Sequence, residues 1–296
     1  MRQYIYRPQE LGLDRWPEGT LRLEGIEVTD NPKDADVFTV PGSMDLFRRG
    51  KRLSSLPHFR GNEARHVLFD CSDHEELYSQ PCLFIRCNTR TWYYEKDINT
   101  ISWPWPVDDH SKCADVPEGG FKYDVSFQGW NWSDARKVSV KSCLKSDLSC
   151  DIATYDDFCG YIWDTEEGLR RRREFRRSMK ESRIALCPES IPGVFPYRFF
   201  EALSAGRIPL LVGSDYVLPW RDEIPYEDFI ITLEAREAYL AGRTIKDFLA
   251  RTCDHELIER GKVAQYYFQR WLWRDNWPML MAEAVRRKVD VACASR

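Results

Sequence analysis

Short apolar runs separated by polar loops fill the first third of the chain: YIY at 4–6, DVFTVP at 36–41, HVLFD at 66–70 and CLFIRC at 82–87. Continuous apolar runs of this length predict strands of a sheet covered on both faces. Between them PKDAD, MDLFRRGKRLSSL and DHEELYS supply helices or helix starts. Strand and helix therefore alternate, which predicts an α/β fold. From Trp103 to Gly120 the pattern breaks into WPWPVDDHSKCADVPEGG, rich in proline and glycine and without a period, the best linker in the chain. Beyond it YDVSFQGW, RIALCP and RIPLLVG predict a second sheet, SDARKVSVKSCLKS and EEGLRRRREFRRSMKES predict helices, and residues 255–289 read as one long aromatic-rich helical stretch.

This organisation predicts an N-terminal, acceptor-side lobe over 1–115, a C-terminal ligand-binding lobe over 116–265 and a helix over 266–296 that packs across both. Two α/β lobes on a linker leave a cleft faced by the C-terminal ends of parallel strands, where ligands of open sheets bind.

Composition narrows the class. Of 296 residues 43% are apolar and 30% charged, a globular balance, and no stretch has the apolar length of a membrane span or the core of a secretory signal. A cytoplasmic protein is expected. The ten cysteines form no CxxC pair and several sit inside apolar runs, so they read as reduced and buried. A net charge of −4 argues against a nucleic-acid binder. The basic run RRRREFRR at 170–177 reads as a solvated helix face, with weak contact to a membrane surface or lipid-linked acceptor as the sharper alternative.

The richest segment is PESIPGVFPYRFFEALSAGRIPLLVG, 188–213. RIALC before it and IPLLVG within it are strands, YRFFEALSA is a short helix, Gly206 stops that helix and Pro196 fits its first turn. The unit is a right-handed βαβ. Arg198 and Glu201 are three residues apart and share a face near the helix start. The helix N-terminus and a guanidinium suit a phosphate, and a carboxylate one turn on can accept from a ribose diol. The plainer alternative is an intrahelical Arg–Glu pair. No P-loop lysine motif or GxGxxG is present, which leaves ATPase and dehydrogenase readings without support.

From Ser182 to Leu233 the chain resembles the exostosin glycosyltransferases, glycosyltransferase family 47. Ser182, Cys187, Pro188, Gly193, Arg198, Glu201, Ala202, Ile208, Pro209, Asp215, Leu218 and Pro219 match the family pattern. NPKDADVFTVP, KDINTISWPWP and VSFQGWNWSDARK are similar to weaker family segments. The resemblance implies a GT-B fold, two Rossmann-like lobes with parallel sheets facing a central cleft. It also implies inverting sugar transfer from a nucleotide sugar, with UDP as the expected nucleotide, to a glycan or polysaccharide acceptor. No metal or other cofactor is expected, and Asp34-Ala35-Asp36 leads into a strand instead of binding a cation. By the same resemblance Arg198 is the diphosphate ligand, Glu201 the ribose ligand and Arg136 a second phosphate contact, while Gly193, Ser190 and Asp215 complete the nucleotide-sugar site.

One departure is plain. Many exostosins carry arginines directly after Cys-x-x-Pro, where this chain has ESIPGVF with Glu189, so Arg136 or Arg183 must stabilise the leaving group. Inverting transfer also needs a base for the acceptor hydroxyl. FDCSDHEE offers Asp73, Asp70 and His74, though a helix N-cap with acids in its first turn is an equal reading of those residues. Trp103, Trp105, Trp130 and Trp132 are candidates to stack on a sugar or base, against ordinary core roles. A fucosyltransferase-like enzyme with a guanosine donor and a non-catalytic glycan- or nucleotide-sugar-binding subunit are the alternatives.

Overall fold

In a computed structural model the described residues are 1–11, 22–43, 53–70, 81–91, 99–157 and 165–294. They form two units, each built on a parallel sheet.

The first unit takes Met1–Pro104, Val217–Trp220 and Trp273–Arg296. Its strands are β1 (Arg2–Ile5), β2 (Glu27–Val28), β3 (Val37–Ser43), β4 (His66–Asp70), β5 (Leu83–Arg86) and β6 (Thr100–Ser102), in the order β2-β1-β3-β4-β5-β6. The apolar runs form β3, β4 and β5 because burial on both faces selects for them; Val37, Phe38, Val67, Leu68, Phe84 and Ile85 are all in the core. Asp36, ahead of β3, accepts the backbone N–H of Arg2 at 2.6 Å, a structural use of the Asp-Ala-Asp run.

The second unit takes Trp105–Tyr216 and Arg221–Leu272. Its strands are β7 (Tyr123–Trp130), β8 (Cys150–Tyr155), β9 (Ser182–Pro188), β10 (Ile208–Val212) and β11 (Ile231–Leu233), in the order β11-β10-β9-β7-β8. Its helices are α1 (Asp134–Leu144), α2 (Glu166–Glu181), α3 (Tyr197–Ser204), α4 (Ala241–Leu249) and α5 (Asp254–Tyr267). Ser133 caps α1 by accepting from Arg136 N, and Thr165 caps α2 by accepting from Gly168 N at 3.0 Å.

The chain changes unit inside the proline-rich run, at Pro104 and Trp105, and residues 105–116 fold with the second sheet. Val217–Trp220 joins the first unit through hydrogen bonds: Val217 N donates to Thr89 O at 2.9 Å, and the Ser102 hydroxyl donates to Val217 O at 2.5 Å. The C-terminal stretch is not one helix. A π turn (Phe268–Leu272) follows α5, the chain leaves the helix at Trp273, and α6 (Trp277–Ala294) starts with Pro278, whose missing N–H is tolerated only at a helix start.

Cys82, Cys87, Cys113, Cys143 and Cys187 are buried free thiols, while Cys253 is exposed. Among the described residues no helix is long and apolar enough to cross a membrane.

Candidate nucleotide-sugar site

The unit β9–α3–β10 is the predicted βαβ, with β9 and β10 paired in parallel. Phe199, Phe200, Ala202 and Leu203 are fully buried, which fixes the rotation of α3 on the sheet. Arg198 and Glu201 are thereby turned into a pocket of about 680 Å³ lying within the second unit. Its floor is the C-terminal end of β7, Gln128 to Trp130, with Tyr155 from β8 beside it. Arg136 of α1 forms one side. Arg171, Arg172 and Phe175 of α2 form another, and Val107, Asp108 and His110 close it.

Of the arginines that line this pocket, Arg136 and Arg198 are held by backbone carbonyls. Arg198 donates to Gln128 O and lies over the Phe127 ring at 4.6 Å. Arg136 donates to Trp130 O at 2.8 Å and to Pro188 O at 3.4 Å. Neither forms an ion pair among the described residues, and the Nε of Arg198 is buried without a hydrogen-bond partner. Burial first, and Arg198 second, pull the Arg136 guanidinium down to about 9. A guanidinium stays charged at neutral pH even so. Two neighbouring cations without a carboxylate, partly removed from water, make a site that an anion relieves.

Glu201 does not pair with Arg198, so the intrahelical alternative is not what forms. Its carboxylate instead lies 3.6 Å from His110 Nε2. His110 is only 3% exposed, packs edge-on against Phe175, and has no hydrogen-bond partner at either ring nitrogen among the described residues. Its backbone is fixed, because His110 N donates to Ser204 Oγ at 2.8 Å. Arg207, buried at the start of β10, donates to Cys113 O and Ala114 O and ties the following residues of the same segment down.

The basic run of α2 is more than a solvated face. Arg170 turns outward to Glu167 and Glu174, whereas Arg171, Arg172 and Phe175 form the pocket wall. Arg171 is held by Glu167 at 2.6 Å and lies 4.2 Å over the Tyr155 ring. A phenylalanine embedded in an otherwise basic helix was the signal for that inward side.

The other expected residues fall in three places. Gly193 has a left-handed φ of +78° and donates its N–H to the Glu189 carboxylate at 3.2 Å. Ser190 is half-buried in the same loop, and Asp215, also left-handed at φ +64°, follows β10; none of these three lines the pocket. Glu189 itself is 4% exposed and further accepts from Ser214 N at 3.3 Å and the Tyr216 hydroxyl at 2.9 Å, so the residue standing where many exostosins place arginines is a loop anchor. Arg183 is corrected as a leaving-group candidate. It sits at the start of β9, at the N-terminal end of the strands and away from the pocket at their C-terminal end, bound to Asp254 at 2.7 and 2.9 Å and to Asp124 at 3.3 Å.

In the first unit Asp70 ends β4, 4% exposed, with Arg86 Nε 3.8 Å from its carboxylate. Asp73 and His74 lie outside the described residues. Trp103 is fully buried between Trp220 and Trp277, and Trp105 is buried against Tyr197. Trp130 lines the pocket and stacks on Trp132, which is 40% exposed.

No family model matches the chain. A probable glycosyltransferase of Arabidopsis thaliana is 30% identical over 81 residues, 27% of this chain but 17% of the length of that protein. A glycosyltransferase from Rickettsia africae has a similar structure, with a TM-score of 0.56 at 9% identity over 97% of this chain and 98% of that one. A protein of Anabaena solved with UDP and glucose has a TM-score of 0.49 at 9% identity over 100% of this chain and 99% of that one. The chain therefore has a glycosyltransferase-like fold of two parallel-sheet α/β units, the GT-B class.

Proposed function

We propose that the protein is an inverting, metal-independent glycosyltransferase of exostosin type, moving a sugar from a UDP-linked donor to a glycan or polysaccharide acceptor. The observation that carries this reading is the pair Arg136 and Arg198, two guanidiniums without carboxylate partners at the strand ends of a Rossmann-like sheet, with Glu201 one turn along α3. A diphosphate supplies the missing anion, and the carboxylate suits a ribose hydroxyl while repelling phosphate. The 30% identical segment of the Arabidopsis protein supports the same class.

In this reading the acceptor oxygen attacks C1 of the donor sugar as the bond from C1 to the phosphate oxygen breaks. The electron pair leaves with the diphosphate, whose growing charge Arg198 and Arg136 stabilise, and the acceptor proton passes to a base. That base is assigned to Asp70, Asp73 or His74. No metal is needed to neutralise the leaving group.

Titration with UDP and GDP, followed by a screen of their sugars for hydrolysis and transfer, tests the reading. UDP raises the melting temperature more than GDP does, and Arg198→Ala with Glu201→Ala abolishes both binding and transfer. A stronger response to GDP moves the donor to the guanosine class. Nucleotide binding without turnover of any sugar nucleotide identifies a non-catalytic subunit, and wild-type behaviour of the double variant ends the proposal.

A further inference from the structure

His110 is a buried imidazole whose ring nitrogens form no hydrogen bond among the described residues. Its side chain faces the pocket, and Gln128 Oε1 on the floor of the same pocket, in a residue 6% exposed, is equally unpartnered. Buried polar atoms are nearly always satisfied, so several orphans in one cavity point to a ligand that supplies the partners.

The chemistry of that ligand is set by the neighbours. Nε2 of His110 and Oε1 of Glu201 are 3.6 Å apart, too far for a good direct hydrogen bond. One hydroxyl oxygen set to the side of the pair can lie at roughly 2.8 Å from each. A hydroxyl has one donor and two acceptor lone pairs, so it accepts from His110 Nε2–H while donating to the Glu201 carboxylate. A vicinal second hydroxyl then donates to the other carboxylate oxygen. An anionic group is disfavoured beside Glu201, whereas Arg198 and Arg136, held only by backbone carbonyls, face the same pocket. The pocket thus offers a neutral diol the Glu201–His110 pair and an anion the two guanidiniums.

We infer that His110 is a specificity-determining residue that, with Glu201, reads the ribose cis-diol of the nucleotide and rejects nucleotides lacking one of its hydroxyls. This rests on the nucleotide-sugar reading above. Backbone placement supports it, since the Ser204 contact fixes His110 N on the helix that also carries Glu201.

The test is a set of calorimetric titrations of the full chain with UDP, 2′-deoxy-UDP and 3′-deoxy-UDP, for the wild type, His110→Phe, His110→Gln and Arg198→Ala. Removing one hydroxyl weakens wild-type binding by about 10-fold or more, the effect of losing a hydrogen bond to a charged group. In His110→Phe the penalty for losing the bridging hydroxyl shrinks severalfold while that for its neighbour, bound by Glu201 alone, persists, and His110→Gln, which keeps a donor, restores part of the lost discrimination. A merely structural histidine would lower the affinity for all three nucleotides together and leave their ratios unchanged, and that outcome overturns the inference. If UDP binds with the expected dependence on Arg198 but the ratios ignore His110, this inference alone falls. If none of these nucleotides nor GDP binds the wild type, it falls together with the nucleotide reading.

Discussion

The Glu189 carboxylate accepts the backbone N–H of Gly193 at 3.2 Å from inside the loop that joins β9 to α3. With Ser214 N and the Tyr216 hydroxyl on the same oxygen, one buried acid ties that loop to the one following β10. Glu189→Ala leaves these donors facing a void and costs about 3 kcal/mol, whereas Glu189→Gln, which keeps an acceptor, costs about 1 kcal/mol. Denaturant unfolding of the two variants measures the difference. Equal stability for both would remove Glu189 from its anchoring role.

Gly129 lies under the Arg198 side chain: a Cβ placed there would meet Nη2 at 2.7 Å. Because the obstacle is the far end of a flexible side chain, Gly129→Ala moves the guanidinium and leaves the fold intact. Stability should change by less than about 1 kcal/mol while nucleotide affinity falls about 10-fold, the loss of one charge-assisted hydrogen bond. Calorimetric titration with UDP beside a thermal melt separates the two effects, and unchanged affinity would show that Arg198 does not reach the nucleotide.

Much of the second sheet was legible because its central strands are buried on both faces and leave unbroken apolar runs: YDVSFQGW is β7 over its full length, and RIALCP falls within β9. The edge strand β8, CDIATY, is only half-buried and keeps polar residues, so it left no such trace. Arg198 and Glu201 were legible from helix spacing and the family pattern together. His110 was not. Its segment reads as a linker because proline removes any period, and its meaning comes from Glu201 and Phe175, which only the fold brings beside it. The misplacement of Arg183 has the same origin: a local pattern finds an arginine on a strand but cannot say which end of the sheet faces a ligand.

Helices α3 and α5 meet where Gly206 and Gly261 leave no room for side chains. A Cβ on Gly261 would lie 2.2 Å from the Gly206 carbonyl oxygen, a backbone atom that cannot step aside, and Gly206 is itself left-handed at φ +61°. Gly261→Ala therefore forces α5 away from α3. The expected cost is about 1–3 kcal/mol, more than the gain of up to about 1 kcal/mol from replacing glycine within a helix. Unfolding in urea reads this directly; a variant as stable as the wild type would show that α5 shifts without strain.

The last prediction concerns acid. His66 is fully buried, stacked on Phe38 with ring centroids 4.9 Å apart. Its Nδ1–H donates to Asn62 O at 2.8 Å, which leaves Nε2 to accept the Tyr6 hydroxyl at 2.9 Å and defines a neutral tautomer. Burial pushes this imidazole down to about 4, below an unfolded value near 6.5. The unfolded chain therefore binds the proton first. The stabilisation is fully present above about pH 6.5 and is lost as pH falls towards about 4, by about 3 kcal/mol in all and about 2 kcal/mol by pH 5. His66→Gln cannot titrate, so between pH 7 and pH 5 the wild type should lose about 2 kcal/mol more than the variant in urea unfolding. Parallel pH profiles for the two proteins would show that His66 is protonated alike in the folded and unfolded states.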